Sequence, residues 1–166
     1  MTKYASRFTK HAALAAATGF GLGLSPVASG TTGALLGIPL MLCLAPVWKS
    51  PLAWQIIACL ILAAVAIPVC GAAEKHFQRK DDRRIVADEY LTFPIGLIGL
   101  PLCLPALLLA FVTNRVLDIL KPFPACTAQR LPGGWGIVTD DFISAAYSLA
   151  LNHILFPIVI KYWPFA

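Results

Sequence analysis

Residues 91–112, Leu91-Thr92-Phe93-Pro94-Ile95-Gly96-Leu97-Ile98-Gly99-Leu100-Pro101-Leu102-Cys103-Leu104-Pro105-Ala106-Leu107-Leu108-Leu109-Ala110-Phe111-Val112, carry no charge, yet hold three prolines and two glycines. One straight helix is excluded, because an internal proline removes a backbone hydrogen bond and clashes with the preceding turn. What flanks the stretch decides its path. Upstream lies a charged island from Glu74 to Glu89, and downstream a second from Arg115 to Asp141. All eight acidic residues (Glu74, Asp81, Asp82, Asp88, Glu89, Asp118, Asp140, Asp141) fall inside these two islands. Both islands are flanked by Lys and Arg, which places both on one side of a bilayer under the positive-inside rule. The stretch between them must then cross an even number of times. Halved, it gives arms of about 11 residues, on the order of 16 Å at helical rise, enough for half a bilayer. The expectation is an all-α, multi-pass helical membrane protein. It has a broken or re-entrant hairpin around residues 91–113, bending near Gly99–Pro101, and an interfacial N-terminal helix.

Composition agrees with that class. The 166 residues are 58% hydrophobic and only 13% charged, and the mean hydropathy is +0.77. Such a chain lies outside the soluble range, and its length fits one domain, residues 1–166. The net charge of +5 has a local origin in Lys75, Arg79, Lys80, Arg83 and Arg84. Nucleic-acid binding would call for a basic face with interleaved aromatics, so orientation and attraction to anionic lipid explain this cluster better. The five cysteines form no CxxC pair and indicate neither disulfides nor zinc. Cys126 is followed too soon by Arg130 for a cysteine-nucleophile phosphatase.

Lys3, Arg7 and Lys10 open a segment with some features of a signal peptide, but Gly19, Gly21 and Gly23 make a poor apolar core. An amphipathic helix on the membrane surface fits better, leading into a Gly/Ser/Thr loop at Gly23–Gly33. Leu35–Trp48 and Leu52–Ala73 read as a helical hairpin around Lys49-Ser50-Pro51, with Trp48 and Trp54 at interfacial depth. Phe142–Ile160 is the last spanning segment, with Trp163 as its anchor. His153 within it reads as a packed polar residue.

The chemistry lies in the islands. Lys80 to Arg84 reads as an ordinary solvated loop. Asp88-Glu89 differs, because it stands at the mouth of an apolar run, where ionisable groups are costly and functional by default. Arg115, Asp118 and Lys121 fall near one face of a helix that Pro122 and Pro124 end. Taken alone, they could be a surface ion pair. Thr139 can cap a helix whose first turn holds Asp140 and Asp141, which would explain those acids by capping alone. Converging carboxylates repel unless a cation neutralises them. Oxygen donors without His or Cys at metal spacing point to Mg²⁺, with Mn²⁺ or Ca²⁺ as alternatives. The candidate ligands and catalytic groups are Asp88, Glu89, Asp118, Asp140 and Asp141, with Glu74 a weaker ligand. Arg115 and Lys121 suit a phosphate monoester. The small residues of the Gly30–Gly33 loop, with Thr31 and Thr32, would let backbone N–H groups approach it.

Ser25-Pro26…Gly30-Thr31-Thr32-Gly33, Asp81…Ile85-Val86-Ala87-Asp88-Glu89, Arg115-Val116-Leu117-Asp118-Ile119-Leu120-Lys121-Pro122-Phe123-Pro124 and Gly133-Gly134…Gly136-Ile137…Asp140-Asp141 occur in one order and spacing. That pattern resembles the phosphatidylglycerophosphatase A family over about residues 20–150. Two places depart from it: Leu91-Thr92-Phe93 stands where a Val-Gly pair is usual, and Phe123 where Trp is common. Neither touches a ligand candidate. The resemblance implies a Mg²⁺-dependent phosphoric monoester hydrolase of the bacterial inner membrane, facing the cytoplasm. It would convert phosphatidylglycerophosphate to phosphatidylglycerol in phospholipid biosynthesis. Its partners would be the lipid substrate and the bilayer, with no nucleic acid and no obligate protein partner. A lipid phosphotransferase is the first alternative, but its Asp-Gly…Ala-Arg…Gly…Asp…Asp arrangement is missing. A divalent-cation transporter is the second, and it would carry its acids within spanning segments instead of at their ends.

Overall fold

A computed structural model describes residues 11–163. Lys3, Arg7 and Lys10 lie outside the described residues. The described chain is helical, with no strand. Helix α1 occupies residues 11–17, and a 3-10 segment follows at Gly19–Leu24. Three short helices come next: α2 (Ser29–Ala34), α3 (Gly37–Cys43) and α4 (Ala45–Trp48). They are followed by α5 (Leu52–Phe77), α6 (Ala87–Thr92), a 3-10 segment at Phe93–Leu97, α7 (Leu104–Leu120), α8 (Ala125–Ala128) and α9 (Gly134–Lys161).

Helices α5 and α9, of 26 and 28 residues, are each long and apolar enough to cross a membrane. Only 28% of the most apolar window of α5 and 22% of that of α9 is buried, so neither is the enclosed core helix of a soluble domain. Ile57, Leu60, Ile61 and Val65 face outward from α5. The two helices run antiparallel. Gly134, opening α9, presses on the Ile67 carbonyl and Gly71 N near the end of α5, while His153 and Leu52 meet at Gly99 at the other end.

The arm Leu35–Trp48, which Pro39 and Pro46 interrupt in the sequence, is broken in the structure too. It forms α3 and α4, with Pro39 inside the first and Pro46 in the first turn of the second. These short pieces still carry the chain the full height of the bundle. Gly33 rests on Val86, Gly37 on the Phe93 ring, and the Trp48 indole donates to the Leu97 carbonyl at 3.1 Å.

Residues 87–120 run down and back. Helix α6 and Phe93–Leu97 descend beside α9, bringing Gly96 against Ser148 and Asn152. The chain reverses over residues 98–103, where Gly99 adopts φ +76°, a conformation that favours glycine. Helix α7 then returns antiparallel to α9, with Thr113 bonded to Ser148 and Lys121 to Asp140. Pro94 and Pro105 each stand in the first turn of their helical segment, where a missing N–H costs nothing.

A broken backbone inside an apolar bundle needs partners for its free polar groups. Four side chains supply them here. Trp48 donates to Leu97 O, and Asn152 Nδ2 to Gly96 O at 2.8 Å. Gln55 Oε1 accepts from Gly99 N at 2.9 Å, and His153 Nε2 lies 2.9 Å from Ile98 O. His153, expected as a packed polar residue, is exposed and serves as a structural partner of the break.

Two local expectations are corrected. The stretch Gly30–Gly33 is not a loop, because Ser29–Ala34 form helix α2. Helix α9 begins at Gly134, with Gly133 as its cap residue, so Asp140 and Asp141 stand in the second turn and Thr139 is no cap. The composition of Gly133-Gly134-Trp135-Gly136 suggests a sharply turning loop, yet Gly134 and Gly136 lie inside the helix. Each is helical, and a Cβ at either would strike backbone: the Ile67 carbonyl for Gly134, the Leu131 carbonyl for Gly136. Capping therefore does not explain the two acids.

Gly134→Ala should lower stability by about 1–3 kcal/mol, because neither backbone can yield to the added carbon. Gly71→Ala, whose Cβ would stand 3.3 Å from Gly134 N, should cost less, since Ala gains helix propensity. Thermal unfolding of both variants in detergent checks the order.

Candidate active site

The fold gathers both charged islands at one end of the bundle. Asp88 and Glu89 lie in the first turn of α6, where the helix dipole favours acids, but both are buried. Asp118 comes from α7, and Asp140 and Asp141 from α9, the last two also buried. Burying carboxylates is expensive unless charges and hydrogen bonds compensate them.

Two cations answer them. Arg115 Nη1 lies 3.0 Å from Asp118 Oδ2 and 3.3 Å from Glu89 Oε2. Lys121 Nζ lies 2.6 Å from Asp140 Oδ2. Helix α7 ends at Leu120, and Lys121 takes a left-handed conformation that turns its side chain onto α9. Five carboxylates face these two cations, so negative charge is in excess. Burial, with Glu89 next to it, pushes the Asp88 carboxyl well above its ordinary range. Burial also raises Glu89, to about 8, although the Arg115 guanidinium pulls the other way. Burial works against the Lys121 ammonium, but the bond and charge of Asp140 outweigh it and hold its pKa above the usual.

Several groups are left without hydrogen bonds. Asp88 Oδ1, Glu89 Oε2, Asp140 Oδ1, and Nε and Nη1 of Arg115 are buried and have no hydrogen-bond partner among the described residues. The contacts of Arg115 Nη1 with Glu89 and Asp118 are close enough for ionic attraction, but not aligned for hydrogen bonding. Such orphans call for an occupant.

Gly30 of α2 closes one wall. A Cβ there would strike Glu89 Oε1 and stand 2.8 Å from Arg115 Nη2, so only glycine lets the backbone come this near the pair. Ser29 Oγ donates to the Arg83 carbonyl at 2.7 Å and fixes the helix. Thr31 follows Gly30, while Thr32 turns its hydroxyl inward to Ser29 O at 2.8 Å and Leu22 O at 3.1 Å. Glu74 stands apart. It lies near the Gly133 turn, and no ion pair ties it to Arg115 or Lys121 among the described residues.

The loop read as solvated divides in two. Asp82 binds Arg84 at 2.8 Å, and Arg84 stacks on Phe77 at 3.8 Å, so this pair is structural. Asp81 is different. It accepts from Gln129 Nε2 at 2.5 Å and lies close enough to help raise both Asp88 and Glu89. No spacing rule separates it from Asp82; only the fold brings it to the cluster. Beyond Asp81 opens a cavity of about 460 Å³ lined by Lys80, Cys126, Gln129 and Arg130.

Among the described residues, no three Asp, Glu, His or Cys side chains form a ready-made metal cage. The donors nevertheless fit a hard divalent cation in kind: buried, unpartnered carboxylate oxygens with no nitrogen or sulfur among them. Asp88, Glu89, Asp118, Asp140 and Asp141 are the residues that could hold one, as a further counter-charge beside Arg115 and Lys121.

Comparison with known proteins gives the same direction. The family model for phosphatidylglycerophosphatase A matches residues 15–156. "Phosphatidylglycerophosphatase A" of Escherichia coli K12 is 33% identical over 143 residues, covering 84% of this chain and 80% of that protein. Its namesake in Haemophilus influenzae is 33% identical over 150 residues, covering 89% and 87%. A Bacteroides thetaiotaomicron protein, provisionally named as a phosphatidylinositol-3-phosphatase, is 31% identical over 138 residues, covering 81% and 87%. No solved structure matches the chain. A match along nearly the whole sequence, with relatives of similar length, decides the assignment: this chain is a phosphomonoester phosphatase and belongs to the phosphatidylglycerophosphatase A family.

Proposed function

We propose that the chain hydrolyses the terminal phosphomonoester of phosphatidylglycerophosphate, releasing phosphate and phosphatidylglycerol, in phospholipid biosynthesis at the bacterial inner membrane. The observation that carries this reading is Arg115, whose buried Nε has no partner and whose Nη1 is held by ion pairs alone, set among carboxylates beside the bare backbone of Gly30. An arginine left so in an acid cluster suits an anionic ligand with several acceptor oxygens. The names of the Escherichia coli and Haemophilus influenzae relatives supply the lipid.

Helices α5 and α9 would stand in the bilayer, with the reversal at residues 98–103 beside the N-terminal end of α5, at the end of the bundle away from the site. The charged end, with Arg79, Lys80, Arg83 and Arg130 around it, would face the cytoplasm. A lipid substrate keeps its acyl chains beside the outward apolar faces of these helices and offers only its headgroup to the cluster.

Asp88, Glu89, Asp118, Asp140 and Asp141 are the proposed ligands of Mg²⁺, with Glu74 a peripheral candidate. When bound, the ion would supply charge neutralisation at the phosphoryl oxygens and a lowered pKa for water. Arg115 offers the edge formed by Nε and Nη2 to two phosphoryl oxygens and fixes the phosphorus against the carboxylates, while Nη1 stays on Glu89 and Asp118. Lys121 reaches the phosphate by leaving Asp140. The Gly30 backbone, with Thr31 and Thr32 beside it, lines the wall opposite. Water attacks phosphorus, the bond to the glycerol oxygen breaks, and the proton lost by the water ends on the leaving hydroxyl.

The Bacteroides thetaiotaomicron relative favours a second reading, a phosphoinositide as substrate. Side-by-side phosphate release from phosphatidylglycerophosphate and phosphatidylinositol 3-phosphate distinguishes them, and at least tenfold higher kcat/KM on the first is expected. Asp88→Asn or Asp141→Asn should abolish release while the protein stays folded and membrane-inserted; near-normal turnover in both would sink the site. Arg115→Lys should lower kcat by about 10²–10³, since lysine cannot present the same fork of donors. Chelation with EDTA should stop turnover and Mg²⁺ should restore it. Full activity in EDTA would remove the cation from the account.

A further inference from the structure

The polar character of the bundle does not stop at the carboxylates. One level deeper, between α7, α9 and Phe93–Leu97, lies a closed cluster. Thr113 Oγ1 is 2.7 Å from Ser148 Oγ and donates to Asn152 Oδ1 at 2.7 Å, and Asn152 Nδ2 donates to Gly96 O at 2.8 Å. Its members satisfy one another and hold the broken segment to the two long helices.

Between this cluster and the carboxylates stand two side chains that nothing satisfies. Asn114 is 4% exposed and Ser144 1%. Asn114 Oδ1 and Ser144 Oγ have no hydrogen-bond partner among the described residues. Asn114 precedes Asp118 by four residues on α7, and Ser144 follows Asp140 by four and Asp141 by three on α9. Each therefore lies on the same helical stripe as those carboxylates, one turn inward. The helices are cross-linked on both sides of this level, by Thr113 with Ser148 below and Lys121 with Asp140 above. Asn114 and Ser144 thus both lie between the two rungs.

A buried amide oxygen and a buried hydroxyl left bare each carry the cost of the hydration lost on folding. A single occupant that donates to one and pairs with the other removes both costs, and water is the smallest that does so. We propose that Asn114 and Ser144 hold a shared buried water that forms the inner wall of the carboxylate site and positions its cation-binding oxygens. This deepens the function proposed above and rests on its cation. Asn114 and Ser144 are positioning residues, acting through the water and the carboxylates without touching the substrate.

Mn²⁺ affinity of the full-length protein in detergent, read from the electron paramagnetic resonance of free Mn²⁺, tests this. Asn114→Leu and Ser144→Ala should each weaken binding about tenfold, as loss of an outer-shell partner does. The double variant should be no weaker than either single, because both remove the same water. Thr113→Val, in the closed cluster below, should lower the melting temperature but leave Mn²⁺ affinity unchanged. Single variants within twofold of wild type, or losses that multiply in the double, would overturn the shared water. Should Asn114→Leu fail to fold, Ser144→Ala decides alone: a raised melting temperature without cation would show that its hydroxyl held nothing. If wild type binds no Mn²⁺, the cation reading itself fails and takes the water with it; wild-type binding with indifferent variants refutes only the water.

Discussion

Five carboxylates and two cations share one end of an apolar helix bundle, and their mutual repulsion governs the rest. Asp88, Glu89, Asp140 and Asp141 are buried, and Arg115 and Lys121 do not balance them. Evolution toward stability alone would remove such a cluster, because apolar residues of like volume would pack there at no electrostatic cost. A concentration of unrelieved charge is stored for a ligand that completes it. The orphaned oxygens of Asp88 and Asp140 and the orphaned Nε of Arg115 have opposite needs, one for a cation and one for an anion. A phosphate ester bound with a divalent ion meets both.

The cluster exists only because the chain between its parts turns back. Asp88 and Asp118 are thirty residues apart and yet close, since residues 98–103 reverse the chain within the bundle. The reversal exposes backbone groups that an apolar interior would punish, and Trp48, Gln55, Asn152 and His153 each satisfy one. Those four side chains come from the short helix α4, from α5 and from α9. The polar side chains scattered through otherwise apolar helices are thus explained by the break that they serve, and the break by the site that it assembles.

Much of this was legible before any coordinates. Prolines and glycines in residues 91–112 forbid a straight helix, and the confinement of all acids to two islands marks the site. Arg115 and Asp118 announce their pairing by i, i+3 spacing alone, whereas Lys121 stands past the helix end in a left-handed conformation that takes it to Asp140. Other features could not be read. The role of Asp81 depends on Gln129 and on a tertiary approach to Asp88, and Asp82 next to it, paired with Arg84, has none of it. The start of α9 was misplaced by six residues, because Gly133-Gly134-Trp135-Gly136 has the composition of a loop. Gly134 and Gly136 are there for close backbone contact, with the Ile67 and Leu131 carbonyls respectively, which only the packed structure reveals. Asn114 and Ser144 carry no signal in the sequence, and only burial without a partner distinguishes them.

The central claim is that these carboxylates and Arg115 bind one cation and one phosphoryl group together. The most direct measurement is phosphorus-31 electron–nuclear double resonance on the Mn²⁺-loaded protein with a non-hydrolysable phosphonate analogue of phosphatidylglycerophosphate. The account predicts a manganese–phosphorus coupling in the wild type that disappears in Asp118→Asn. Tightly bound Mn²⁺ with no coupling to phosphorus would contradict it.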